Sequence, residues 1–431
     1  MTSTSMAAVS TKLFPQRLYN QTRTFFVNAK VKWVCDPFLD MAVSREKDLK
    51  QVLSLKNQIV SSPTKSLPLS SVSPLKTHLD LPTTTTTQNF FQKYPSVFHQ
   101  FQLSPSLPLR VKLTPHALTL HGEESAIHGS STHRDCVVKR LARLLMLTNA
   151  RRLPLHVIDR FKFDLGLPHN YITALLSDYP EFFQVCEIKD CNTDKETLAL
   201  ELVSWRKELA VSEMERKSCH GDLLNLKKGM CLRFSMNFPR GFDLEKRIMD
   251  WVEKWQELPY ISPYEDAFHL APSSDLAEKW AVAVLHELLW LLVSKKTERD
   301  NVFCLGDYLG FGDRFKKALR HHPGIFYISS KIRTQTVVLR EAYRKDFLVE
   351  KHPLMGMRHR YLHLMYKAQQ HRRKPIGVVA SRPKRKRKIT LSTKTVRKED
   401  DKCILGEEVS NRLSDSVFDG DSSHEAVKIE I

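Results

Sequence analysis

Several residue groups in this chain could do chemistry, but their spacing argues against catalysis. His321-His322 ahead of Pro323 offers a general base or a metal ligand. Proline disfavours helix in the residue before it, so the same pair also suits the end of a helix. Asp164, Asp178 and Asp190 could supply paired carboxylates. Nothing places them on one face with a nucleophile, and they read as solvated charges. Gly310-Phe311-Gly312 lacks the third glycine and the preceding strand of a dinucleotide site. No GxxxxGK(S/T) phosphate loop, GxSxG elbow or HExxH helix occurs. The eight cysteines (Cys35, Cys136, Cys186, Cys191, Cys219, Cys231, Cys304, Cys403) contain no CxxC pair and suit a reducing compartment. Cys186, Cys191, Cys219, His220 and Cys231 could be imagined around zinc, yet their spacings match no structural zinc module. The expectation is a non-enzyme with no cofactor, no metal and no small-molecule substrate.

Binding a polyanion is the chemistry the residues favour. Lys and Arg number 67 against 48 Asp and Glu, a formal net charge of +19. RNA, DNA and an anionic membrane are the partner classes such a surface attracts. The cations expected at a nucleic-acid surface are Arg110, Lys112, Arg314, Lys316, Lys317, Arg320, Lys331, Arg333, Arg340, Arg344 and Lys345. Such groups give salt-dependent affinity, while sequence choice in RNA needs unstacked bases on aromatic or guanidinium planes. Tyr327 and Tyr343 are the candidates for stacking. The plain alternative for each cation is a solvated helix face, and for each tyrosine a place in the core.

Those residues fall in a repeated pattern. Leu79-Asp80-Leu81-Pro82, Leu165-Gly166-Leu167-Pro168 and Leu309-Gly310-Phe311-Gly312 each precede a helical stretch. Each stretch ends in Tyr94-Pro95, Tyr179-Pro180 or His322-Pro323, with Phe98, Phe183 or Phe326 three residues after the proline. Strand-like Leu109–Leu113, Leu198–Val203 and Thr336–Arg340 follow. Alternation in Arg110 to Leu113 and Val338 to Arg340 predicts cations on one face and apolar groups on the other. Apolar stripes through Val137, Leu141, Leu144, Leu145 and through Leu276, Trp280, Val284, Leu288 predict leading helices for units two and three. Asp48 to Val60 is a weaker leader for unit one.

The predicted fold class is α+β, predominantly helical, built of tandem winged-helix-like units of helix, helix-turn-helix and short β-hairpin. The units span about 45–120, 135–205 and 244–345. Between units two and three, Met230 to Asn237 reads as a strand and Leu244 to Gln256 as an amphipathic helix. A last helix is expected at about Met357 to Gln370. Trp280 to Val293 is apolar but interrupted by His286 and Glu287, so it reads as a buried helix, and no membrane insertion is expected. Residues 1–30 carry no acid, the first being Asp36, and interleave Arg17 and Arg23 with Leu18, Phe25 and Phe26. That is the composition of a transit peptide, mitochondrial in preference to chloroplast. Residues 371–431 form a tail, basic and then acidic, expected to be disordered.

Taken in order, several of these motifs resemble the plant organelle RNA recognition (PORR) family. They are Val31-Lys32-Trp33-Val34 with Asp40 to Lys50, the Leu-x-Leu-Pro and Tyr-Pro-x-x-Phe elements, Pro259-Tyr260 and His322 to Ser329. The likeness covers residues 31–370. It implies an RNA-binding protein of mitochondria or chloroplasts that assists splicing of group II introns. Organellar intron RNA is the implied partner, with other splicing factors in a ribonucleoprotein as further candidates. Two competing readings stand beside it. One is a nuclear winged-helix DNA-binding protein, on the strength of the import-like Pro383 to Lys388; the other is an rRNA-binding structural protein of the organellar ribosome.

Overall fold

A computed structural model of the chain describes residues 28–30, 34–73, 86–190, 194–219, 229–238, 246–373 and 428–430. The expected transit peptide, the Leu79-Asp80-Leu81-Pro82 motif and the tail beyond residue 373 lie outside them, short strands at 28–30 and 428–430 excepted. After β1 (Asn28–Lys30), α1 (Pro37–Ser44) starts at Asp36, whose carboxylate accepts from the Phe38 and Leu39 amides at 3.1 and 3.2 Å. Such a cap is worth about 1 kcal/mol, and Pro37 sits where a missing amide costs nothing.

Unit one contains α2 (Leu49–Ser61), β2 (Ser66–Pro68), α3 (Leu69–Val72), α4 (Thr87–Lys93), β3 (Phe98–Phe101) and β4 (Arg110–Leu113). A linker helix, α5 (Pro115–Gly129), leads to unit two: α6 (Ser131–Met146), β5 (Arg152–Pro154), α7 (Leu155–Leu165), α8 (Tyr171–Ala174), β6 (Phe183–Lys189) and β7 (Glu196–Leu202). Two helices, α9 (Glu213–Ser218) and α10 (Lys246–Gln256), bridge to unit three. There α11 (Asp275–Leu291), β8 (Lys296–Glu298), α12 (Arg299–Tyr308), α13 (Gly312–His321), β9 (Phe326–Ser329) and β10 (Thr336–Leu339) repeat the same order. A hairpin of β11 (Tyr343–Arg344) and β12 (Phe347–Leu348) leads into α14 (Pro353–Arg373). Last comes β13 (Lys428–Glu430), antiparallel to β1.

The fold is thus α+β with small antiparallel sheets, ordered β2-β4-β3, β5-β7-β6 and β8-β10-β9. In each, the strand after the leading helix pairs with the second strand of the hairpin. Sequence periodicity had predicted only the hairpins. The added strands are three residues each, too short for alternation to register. Lys65, Arg151 and Lys295, one residue ahead of these strands, have φ of 49°, 52° and 52°. The sharp turn out of the leading helix therefore repeats in every unit. Helix α5 has no apolar stripe for periodicity to reveal, since only Ala117 and Leu120 are buried along it.

The proline pairs act as expected. Tyr94, Tyr179 and His322 all leave the helical region, at φ −122°, −130° and −117° with ψ 59°, 53° and 59°. Their carbonyls accept from the Phe98, Phe183 and Phe326 amides at 3.0, 3.2 and 3.0 Å. Each of the three side chains also bonds an acid near the start of its unit's leading helix. Tyr94 Oη donates to Asp48 at 2.7 Å, Tyr179 Oη donates to Asp135 at 3.0 Å, and His322 Nε2 lies 2.9 Å from Glu278 Oε1. The histidines before Pro323 are thus a helix terminus and a pin.

Units two and three and the bridge share one core, with α11 buried almost end to end. Unit one forms a second core with α14, through Met357, Tyr361, Leu362, Leu364 and Met365. Met230 to Asn237 belongs to no sheet. Phe234 is held instead by the Gln256 amide, 2.9 Å in both directions, and the Asn237 amide donates to the Gly324 carbonyl.

Candidate nucleic-acid interface

The predicted cations divide between exposed positions and positions used by the fold. Lys112 is exposed on β4 with its ammonium 5.1 Å from the Phe101 ring centre. Arg110, two residues earlier, is half-buried and donates to Ser66 Oγ and Thr64 Oγ1 at 3.0 Å. On α13, Lys316 and Arg320 face solvent, Lys316 paired with Asp313 at 3.0 Å. Arg314 and Lys317 are half-buried. The Arg314 guanidinium lies over Phe268 and Phe311, and Lys317 pairs with Glu278 at 3.2 Å. Lys331 and Arg333 are exposed in the β9–β10 turn, as are Arg344 at the end of β11 and Lys345 in the turn after it.

Two expectations are corrected, those for Arg340 and Tyr327. Arg340 is buried, ion-paired with Asp36 at 2.7 Å and donating to the Pro323 carbonyl. Burial lowers its pKa more than Asp36 raises it, and its place beneath the surface keeps it from a phosphate. Tyr327 is 1 % exposed, so it cannot stack a base; its hydroxyl donates to Asp40 at 2.9 Å and accepts from the Asp36 amide at 3.1 Å. Tyr343 is half-buried, its hydroxyl donating to the Ser294 carbonyl. The alternation rule failed on β10 because α1 covers its second face: Leu39 and Val43 pack on Tyr327 and Val338. Among the carboxylates read as solvated, Asp164 and Asp190 are buried, accepting from Thr297 at 2.6 Å and Tyr308 at 2.7 Å. Asp178 is exposed and paired with Arg134.

Sequence reading had no means of finding a second cationic feature. A cavity of about 510 Å³ opens between α2, α5, α6, the α7–α8 turn and α14. Lys56, 1 % exposed, ion-pairs there with Glu124 and lies 3.4 Å from His121 Nδ1. Arg358 is also buried, its guanidinium 3.7 Å from the Phe163 ring centre. Partial loss of hydration holds His121, His128 and His169 below the ordinary histidine value, and burial brings His133 down to about 4. The pocket gathers residues distant in the chain, so no local motif announces it.

Among the described residues no cluster of His, Cys, Asp or Glu could hold a metal, and no helix is long and apolar enough to cross a membrane. No solved structure matches the chain. The family model described as the plant organelle RNA recognition domain matches residues 34–370. Protein WHAT'S THIS FACTOR 9, mitochondrial, of Arabidopsis thaliana is 35% identical over 348 residues, covering 80% of this chain and 87% of that protein. Protein WHAT'S THIS FACTOR 1, chloroplastic, of Zea mays is 32% identical over 347 residues, 79% of this chain and 68% of that protein. Protein ROOT PRIMORDIUM DEFECTIVE 1 of Arabidopsis thaliana is 30% identical over 346 residues, 77% of this chain and 82% of that protein. With the repeated units and the order of motifs falling inside the matched span, the chain belongs to the plant organelle RNA recognition family.

Proposed function

We propose that this protein is a non-enzymatic RNA-binding factor that promotes splicing of group II introns in organellar, specifically mitochondrial, transcripts. The observation that carries the reading is the family match across residues 34–370, which spans all three units. The likeness to a protein named mitochondrial and the acid-free N-terminus support the choice of organelle. The repeated order of helix, strand, helix, helix, strand, strand, with the first strand on the third, supports a winged-helix-like reading of each unit. Lys112, Lys316, Arg320, Lys331, Arg333, Arg344 and Lys345 grip phosphates, and their salt-sensitive contacts set affinity. A self-splicing intron carries its own catalytic groups, so the protein needs only to favour one RNA fold. Binding that fold more tightly by roughly 3 kcal/mol shifts its population more than a hundredfold. Immunoprecipitation from mitochondria with sequencing of the bound RNA tests the proposal. Enrichment of intron-containing transcripts is the expected result; recovery of ribosomal RNA alone, or no preference for intron over scrambled RNA at physiological salt, overturns it.

A further inference from the structure

The cavity beside α5 differs from the surface cations in holding two that are buried, Lys56 and Arg358. Five Lys or Arg side chains line it (Lys50, Lys56, Arg134, Lys162, Arg358), with four histidines, against the single carboxylate of Glu124. Lys50, Arg134 and Lys162 have acids beyond the lining, in Glu298, Asp178 and Asp159. Lys56 shares Glu124 with Tyr361 Oη, which donates to the same carboxylate oxygen at 3.0 Å. Arg358 makes no salt bridge among the described residues; its guanidinium donates to the Phe163 carbonyl at 2.5 Å. Two polar atoms, His128 Nδ1 and His133 Nε2, are buried on the lining without a hydrogen-bond partner. His133 as a whole is only 8% exposed. Leaving such groups buried and unpaired carries a desolvation cost that a polar occupant removes.

The shape and remaining chemistry narrow the occupant. A volume of about 510 Å³ suits one small ligand, within the usual range of roughly 300–1,000 Å³. Asn57, Gln58 and Asn170 bring amide donors and acceptors to the wall, the groups that read the edge of a base. Phe163 with Arg358 stacked on it gives a flat cationic boundary. The mouth runs past the exposed residues Ser125, Gly129, His169 and Asn170.

We propose that this cavity receives one nucleotide of an unpaired RNA strand, its phosphate held by Lys56, Arg358 and the imidazole N–H groups and its base by the amides. The proposal rests on the RNA-binding reading and adds a site to it. A free mononucleotide has the same chemistry, so the test carries both sources. The full-length protein is titrated by fluorescence anisotropy with a short unpaired RNA and by calorimetry with 5′-UMP and with inorganic phosphate. Ser125→Trp blocks the mouth from an exposed position, and Lys56→Gln removes the floor charge; thermal unfolding shows which variants fold.

An RNA affinity about tenfold weaker in folded Ser125→Trp, with 4-thiouridine cross-links falling on α2 and α5, is expected. RNA binding unchanged in Ser125→Trp, with no cross-link on the lining, overturns the site while leaving the RNA reading intact. Should the wild type bind no RNA, that reading falls and calorimetry decides the cavity separately. Saturable 5′-UMP binding lost in Ser125→Trp then keeps it as a site for a free nucleotide. Binding of phosphate as tight as 5′-UMP, or no binding of either, overturns it.

Discussion

At φ 73°, Gly166 ends α7 with its amide donating to Phe163 and the next amide, of Leu167, to the Lys162 carbonyl at 3.0 Å. A Cβ there would meet Leu354 Cδ1 at 2.8 Å and Val293 Cγ2 at 2.9 Å. Gly166→Ala should cost about 1–3 kcal/mol, read as a lower midpoint in urea with an unchanged slope. The residue before it but one, Asp164, makes a pH prediction. Burial raises its carboxyl to about 6, only partly offset by the Lys50 charge and the Thr297 hydroxyl. The native state therefore holds a proton that the unfolded chain has released, and stability falls as pH rises from about 4 to about 6. Asp164→Asn should flatten that part of the curve, which amounts to roughly 3 kcal/mol. Urea denaturation across the range checks it, and an identical slope in the variant would count against the assignment.

Among elements, α1 and the α6–α11 contact decide the arrangement. Asp36 and Asp40 on α1 take Arg340, Tyr327 and Ser329, while Lys296 reaches the Ala42 carbonyl at 3.0 Å. These contacts tie the N-terminal motif to unit three, which explains why residues resembling an RNA surface are internal. Tyr327→Phe should lower stability by about 1 kcal/mol and leave RNA affinity unchanged, since the buried hydroxyl serves Asp40 and the Asp36 amide. A drop in RNA affinity at equal folding would restore Tyr327 as a base contact. Between units two and three, Glu287 is 0% exposed, pairs with Arg143, and accepts from Tyr264 Oη at 2.7 Å and the Glu213 amide at 2.9 Å. Glu287→Ala strands the Arg143 charge and should cost about 3–5 kcal/mol. A thermal midpoint close to that of the wild type would show that the network adds little.

For the whole molecule, the charge excess makes salt dependence the readout of its function. Lys316→Glu with Arg320→Glu removes two exposed cations from α13. On single-stranded RNA each phosphate contact contributes about 0.7 to the slope of log affinity against log salt, so the slope should fall by about 1.4. The pair of substitutions should leave the thermal midpoint nearly unchanged, because neither side chain is in the core. A slope equal to that of the wild type would take α13 out of the interface.

How far the sequence alone reaches follows from the range of the forces involved. The proline stops at Tyr94, Tyr179 and His322, the turn glycines Gly166 and Gly310, the leading helices and the buried α11 were all legible. Each depends on sterics or periodicity within a few residues, and repetition in the chain reinforced the pattern. The short strands β2, β5 and β8, the α1 cover over β10 and the cavity beside α5 were not legible. Those depend on which surfaces meet, and Arg340 and Lys112 look alike until α1 buries one and leaves the other in solvent.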